Sequence, residues 1–100
     1  MSPDQIQAAL AALPAWIHAD ERGGLIRRTF TFPDFKAAFG FMSQMAAVSE
    51  SSQHHPEWFN VYNRVEVTLT THDVGGLSAK DLDWARQAET VYRDCLRSAD

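Results

Sequence analysis

From Val65 to Thr71 the chain alternates: Val65, Val67 and Leu69 are separated by Glu66, Thr68 and Thr70. Successive side chains on a strand point to opposite faces, so this segment makes a strand with one dry and one wet side. A one-sided sheet must be covered by other apolar elements, which restricts the architectures open to the chain. Leu25 to Phe32 reads as a second strand, with Ile26, Phe30 and Phe32 on one side and Arg27, Thr29 and Thr31 on the other. Arg28 interrupts its apolar side, so this end of the strand is expected to reach solvent. Trp58 to Tyr62 is a third strand, joined to Val65–Thr71 by a short turn at Asn63 and Arg64. Trp16, Ile17 and His18 form a short extended piece ahead of a turn over residues 20–24, where Gly23 and Gly24 relax the backbone.

Three helices supply the cover. Ser2 is an N-cap with Pro3 in the first helical position, and Ile6, Ala9, Leu10 and Leu13 share one face before Pro14 ends the helix. Pro33 and Asp34 open a long helix whose expected stripe is Phe35, Phe39, Met42, Met45 or Ala46, and Ser49. Gly40 within it costs about 1 kcal/mol against Ala, and close packing of another element there would account for it. The last helix starts at Ser78, with Asp81 as its capping partner at N3 and a Leu77–Leu82 staple. It runs to about Leu96 with Leu82, Ala85, Ala88, Tyr92 and Cys95 inward. The order is helix, two strands, helix, two strands, helix: an α+β single domain over residues 1–100, with a four-stranded antiparallel sheet and its helices on one face.

Composition narrows the function. Nine Lys+Arg against thirteen Asp+Glu give a net charge of −4, and no basic cluster exceeds Arg27-Arg28, which argues against direct nucleic-acid binding. One cysteine, Cys95, allows neither an internal disulfide nor a multi-thiolate zinc site, and reads as a small apolar residue on a helix stripe. No apolar run approaches the roughly 20 residues of a membrane span, and the N-terminus lacks a basic and apolar leader. A soluble, cytoplasmic protein is expected.

Histidine is the side chain whose ordinary pKa lies nearest neutrality, and four occur here: His18, His54, His55 and His72. If Phe59 and Val61 share the dry face with Val65, Val67 and Leu69, the hairpin pairs Val61 with Val65 and Phe59 with Val67 around a three-residue loop. Continued, that ladder sets His54 opposite His72, unless Pro56 ends it early. Three imidazoles would then meet at the rim of the sheet, near Glu50 at the end of the long helix. Adjacent strand residues face opposite ways, so His54 and His55 are poorly placed to chelate one metal. Histidines bonded to backbone at a strand edge are the structural alternative. General acid–base catalysis, which needs groups titrating near pH 7 within reach of a substrate, fits the cluster best.

Glu50, Gln53-His54-His55-Pro56, Tyr62, Val65, Thr71-His72, Gly76, Ser78 and Asp81 together resemble the signature of the pterin-4a-carbinolamine dehydratases. The stretch His54 to Asn63 is similar to the family throughout, as are Asp34-Phe35 and Ala38-Phe39-Gly40-Phe41-Met42. The resemblance runs from about Trp16 to the last helix. It implies a lyase that removes water from a 4a-hydroxytetrahydropterin to give quinonoid dihydropterin, in pterin recycling after aromatic amino acid hydroxylation, with no metal or organic cofactor. It places the acid–base pair on His54 and His72 and makes His55 chiefly a pterin-holding group. Gln53, Thr70, Thr71 and Asp73 become candidates for hydrogen bonds to the pterin ring, where the family often has an acidic residue in place of Gln53. Glu50 would orient a histidine or meet the ring's amino-pyrimidine edge, and Trp16 would line the pocket. Asp81 lies near the family's site, although its capping position explains it without catalysis. Trp58, Phe59 and Tyr62 read as packing residues. The family also implies a homodimer or homotetramer, to which the apolar surplus of the long helix would contribute. Its animal members that serve as dimerisation cofactors of a transcription factor supply an alternative, a protein-binding module.

Overall fold

The computed structural model describes residues 2–98. Along the chain run α1 (Pro3–Ala11), β1 (Ile17–Ala19), β2 (Leu25–Thr31), α2 (Phe35–Ser52), β3 (Glu57–Val61), β4 (Arg64–Leu69) and α3 (Ala79–Ser98), with 3-10 turns at Glu21–Gly23 and His72–Val74. The strands form one antiparallel sheet in the order β1-β2-β4-β3. This is the expected α+β arrangement. Ser2 and Gln5 form a reciprocal capping box at α1, and the Asp34 carboxylate accepts from the Ala37 amide at the start of α2.

The core joins Ile26, Phe30, Val65, Val67 and Leu69 of the sheet to Ala38, Phe41 and Met45 of α2 and to Leu82, Trp84, Ala85 and Ala88 of α3. Four expectations change. The α2 stripe keeps the expected Met45 and Ser49 but continues through Ala38 and Phe41, while Phe35 and Phe39 lie against each other in solvent at 5.8 Å. Nothing packs closely on Gly40; a Cβ built there meets no atom within 4 Å. Arg28 is largely withdrawn from solvent: its guanidinium lies 4.2 Å from the centre of the Phe30 ring and is paired with Glu89 at 2.5 Å, leaving the side chain 14% exposed.

The fourth change is the hairpin register. β3 and β4 pair Val61 with Arg64, Asn60 with Val65, Phe59 with Glu66 and Trp58 with Val67, around a two-residue turn of Tyr62 and Asn63. Tyr62 takes a left-handed φ of 51°, and the Asn60 amide donates to the carbonyls of Tyr62 and Arg64. The one-residue difference turns every β3 side chain over. Trp58 packs inward, edge-on to Trp84 at 6.2 Å, and Phe59 and Val61 face solvent at 60% and 43% exposure. Tyr62 is exposed too, so of the three aromatic residues expected to pack, only Trp58 does.

The two 3-10 turns meet backbone to backbone. A Cβ on Gly23, where φ is +83°, would lie 1.8 Å from the Gly75 carbonyl oxygen, and one on Gly76 would lie 2.6 Å from that of Gly23. Gly23→Ala is expected to destabilise the fold by at least about 2 kcal/mol, through both the clash and the positive φ. Gly40→Ala, at an unstrained helical position with open space, is expected to stabilise it by about 0.5–1 kcal/mol. Urea unfolding of both variants checks the pair of opposite signs.

Candidate active site

The α2 helix ends in a left-handed residue, Gln53, at φ 52°. The Gln53 amide donates to Glu50 and Ser49 carbonyls, and the His54 amide donates to the Ser49 carbonyl at 3.1 Å. This reversal points the chain back toward the sheet, so His54 is delivered by a helix C-cap and not by a strand ladder. The ladder between β3 and β4 stops at Glu57 and Thr68, so the expected opposition of His54 and His72 does not form. Pro56, lacking an amide N–H, stands just before the first ladder residue.

His54 is buried and points to Asp81, with Nε2 2.6 Å from Oδ1. Asp81 is fully buried. Its Oδ2 accepts from the Thr71 hydroxyl at 2.7 Å and from the Ser78 amide at 2.9 Å. The Thr71 proton being directed to Asp81, the Ser78 hydroxyl donates to Thr71 Oγ1 across 2.6 Å. The carboxylate is thus acceptor for three groups, and the tautomer that serves it carries the proton on Nε2 of His54. The side chain of His54 retains 10% exposure, and every buried side-chain nitrogen or oxygen among the described residues is hydrogen-bonded. The other ring nitrogen is therefore the edge available to a ligand. Asp81 caps α3 and holds His54 with the same carboxylate; the capping account alone is incomplete.

His55 is exposed and donates from Nε2 to Glu50 at 2.5 Å. His72 and Asp73 lie in the exposed 3-10 turn that follows β4, and Gln53 is exposed beside His54. Thr70 and Thr71 use their hydroxyls inside the protein, Thr70 on the Gly24 carbonyl at 2.8 Å and Thr71 on Asp81. Trp16 stands apart from these groups. It is buried, edge-on to Phe30 at 5.9 Å, and its indole N–H donates to Glu89 at 2.9 Å. His18 is exposed, with its Nε2 3.8 Å from a Cβ built on Gly24.

Two polar supports have roles that the sequence pattern does not assign: Ser49, placed on the α2 stripe, and Glu89. Ser49 accepts from the Trp84 indole at 2.9 Å, fixing the turn of α2 that precedes the histidines. Glu89 accepts from both Trp16 and Arg28. The signal for each was a polar residue placed within an apolar stripe. Among the described residues, no group of three or more His, Cys, Asp or Glu side chains is arranged to hold a metal ion. A concavity of about 530 Å³ lined by Lys36, Gly40, Gln44 and Cys95 includes none of the histidines. Burial, followed by the Asp94 carboxylate, pushes the Cys95 thiol up from its usual pKa range.

Removing the Asp81 carboxylate strands three donors. Asp81→Ala is expected to cost about 3 kcal/mol in chemical denaturation. Gln53→Gly, which relieves a left-handed φ at the helix end, is expected to raise stability by about 0.5–1 kcal/mol in thermal melts.

The family model described as pterin 4 alpha carbinolamine dehydratase matches residues 1–91. A Novosphingobium aromaticivorans protein provisionally named pterin-4-alpha-carbinolamine dehydratase is 59% identical over 83 residues, covering 83% of this chain and 85% of its own. A Rhodopseudomonas palustris protein with the same provisional name is 50% identical over 91% of this chain and 89% of its own. The crystal structure of a Brucella melitensis protein titled transcriptional coactivator/pterin dehydratase superposes with a TM-score of 0.86 at 44% identity, over 92% of this chain and 97% of that one. A pterin dehydratase-like protein identified as a RuBisCO assembly factor in the alpha-carboxysome shares the fold, with a TM-score of 0.68 at 18% identity, over 78% and 89% of the two chains. With a family match over nearly its whole length and relatives at this level of identity, the chain belongs to the pterin-4-alpha-carbinolamine dehydratase family.

Proposed function

We propose that this protein dehydrates a 4a-hydroxytetrahydropterin to quinonoid dihydropterin and water, in tetrahydropterin recycling after aromatic amino acid hydroxylation. The observation that carries the reading is the buried His54–Asp81 pair, with one edge of its imidazole left open, and with His55 next in the chain and His72 next to Thr71, which bonds the same carboxylate. Dehydration breaks the C4a–O bond while the N5 lone pair forms C4a=N5. One proton must reach the departing oxygen and one ring N–H proton must leave, so the site needs an acid and a base. His54 and His72 are assigned those two tasks. Asp81 orients His54, as a carboxylate behind a catalytic imidazole does, by holding one tautomer and one ring angle. His55, steadied by Glu50, holds the pterin, and the open polar groups of Gln53 and Asp73 are available to its ring edge. The chemistry uses the substrate's own nitrogen lone pair, so the proposal assigns no metal or organic cofactor.

A second reading, a protein-binding module, draws on the Brucella melitensis relative, which is described as a transcriptional coactivator as well as a pterin dehydratase. Exposed Phe35 and Phe39 on α2 and Phe59, Val61 and Tyr62 on the β3 hairpin favour association, and we assign them first to a homodimer or homotetramer. No helix among the described residues is long and apolar enough to cross a membrane. A cytoplasmic protein working on a small pterin, without direct nucleic-acid contact, remains our assignment.

Decay of freshly generated 4a-hydroxytetrahydropterin, followed by ultraviolet absorbance, tests the enzyme reading. Acceleration proportional to protein and unaffected by EDTA is expected, with a loss of at least about 100-fold in kcat for folded His54→Ala and for His72→Ala. A folded, assembled parent protein giving no acceleration would falsify the dehydratase reading in favour of the binding module.

A further inference from the structure

We propose that Arg22 is a positioning residue for the histidine cluster, acting through the Glu21–Gly23 turn as a brace between the two segments that carry it. The inference builds on the dehydratase reading and adds a residue outside the histidine motif. Beyond Glu57 and Thr68 the β3–β4 ladder ends, so residues 54–56 and 70–76 lack strand pairing to each other. Residues 22–24 touch the 70–76 segment directly and meet the first ladder residue after the 54–56 segment. Arg22 Nη1 and Nη2 donate to Glu57 Oε2 and Oε1 at 2.7 and 3.1 Å, and Glu57 follows His54-His55-Pro56 directly. Gly23 packs against the backbone of Gly75 and Gly76, just past the His72 turn. The Gly24 carbonyl accepts from Thr70, two residues ahead of His72.

Arg22 itself sits in the left-handed region at φ 55°. An L side chain pays roughly 1 kcal/mol for that conformation, and it persists where surrounding contacts over-determine it. The planar guanidinium suits the role, since its two parallel bonds fix direction as well as distance. Glu21, the neighbouring carboxylate, is taken by Arg27 and so does not compete for Arg22. The Arg22 hydrogen bond holds the Glu57 carboxyl below its usual pKa range, as a formed pair requires. Arg22 and Glu57 are both exposed, so the pair adds little to global stability. Its contribution is the relative placement of two short segments.

Arg22→Gly separates placement from stability, because it removes the guanidinium while relieving the backbone. Its melting temperature is expected to equal or exceed that of the parent, with kcat/KM for the pterin reduced about two- to fivefold. Glu57→Gln is expected to show the same reduction, and the double variant no further one. In NMR spectra the ring signals of His54 and His72 move in Arg22→Gly, and those of Tyr92 stay. Unchanged kcat/KM with unchanged histidine signals overturns the proposal. A loss of activity that follows a lower melting temperature, with Tyr92 moving as well, overturns it too. If the parent protein turns over no pterin, the dehydratase reading fails by itself, and the brace is then decided by whether the histidine signals move.

Discussion

One buried carboxylate ties together the end of α2, the end of β4 and the start of α3. Asp81 accepts hydrogen bonds from His54 after α2, from Thr71 after β4 and from Ser78 at the head of α3. A carboxylate withdrawn from water costs several kcal/mol unless its lone pairs are occupied, so none of the three segments can drift without that cost appearing. The N-terminal end of a helix also favours negative charge. Helix capping and imidazole orientation therefore depend on the same two oxygen atoms.

The rest of α3 extends this logic along one face. Trp84 bonds to Ser49 of α2, Glu89 receives Trp16 and Arg28, and the Tyr92 hydroxyl donates to the Thr31 carbonyl at 2.8 Å. Apolar burial drives the helix onto the sheet without specifying its rotation or register. Directional bonds at these positions select one placement among the many that would bury Leu82, Ala85 and Ala88 comparably well.

The β3–β4 hairpin shows how a local rule can give way to a tertiary one. Alternation alone permits Phe59 and Val61 inward, which requires a three-residue loop and sets His54 opposite His72. The folded chain instead closes a two-residue turn with Tyr62 left-handed, and it buries Trp58 against Trp84. In this register Trp58 packs edge-on to Trp84, and the Asn60 amide donates to the Tyr62 and Arg64 carbonyls of the turn. His54 is thereby released from the ladder, and a helix C-cap and Asp81 place it.

Much of the architecture was legible because its signals are local: strand alternation in β4 and β2, Ser2-Pro3 and Asp34 as helix starts, Ser78 and Asp81 at α3. The residue types of the site were legible for the same reason, as a His-His-Pro run, a Thr-His pair and a capped helix close together in the chain. Which face of β3 is dry, that Phe35 and Phe39 stay outside, and that Arg28 and Trp16 converge on Glu89 were decided only by tertiary structure. Each depends on a partner tens of residues away, and a side chain's own period carries no record of what stands opposite it. The pairing of His54 with Asp81 belongs to this second group: both residues could be read from the chain, and their 2.6 Å contact exists only because the α2 cap, the end of β4 and the start of α3 meet at one point.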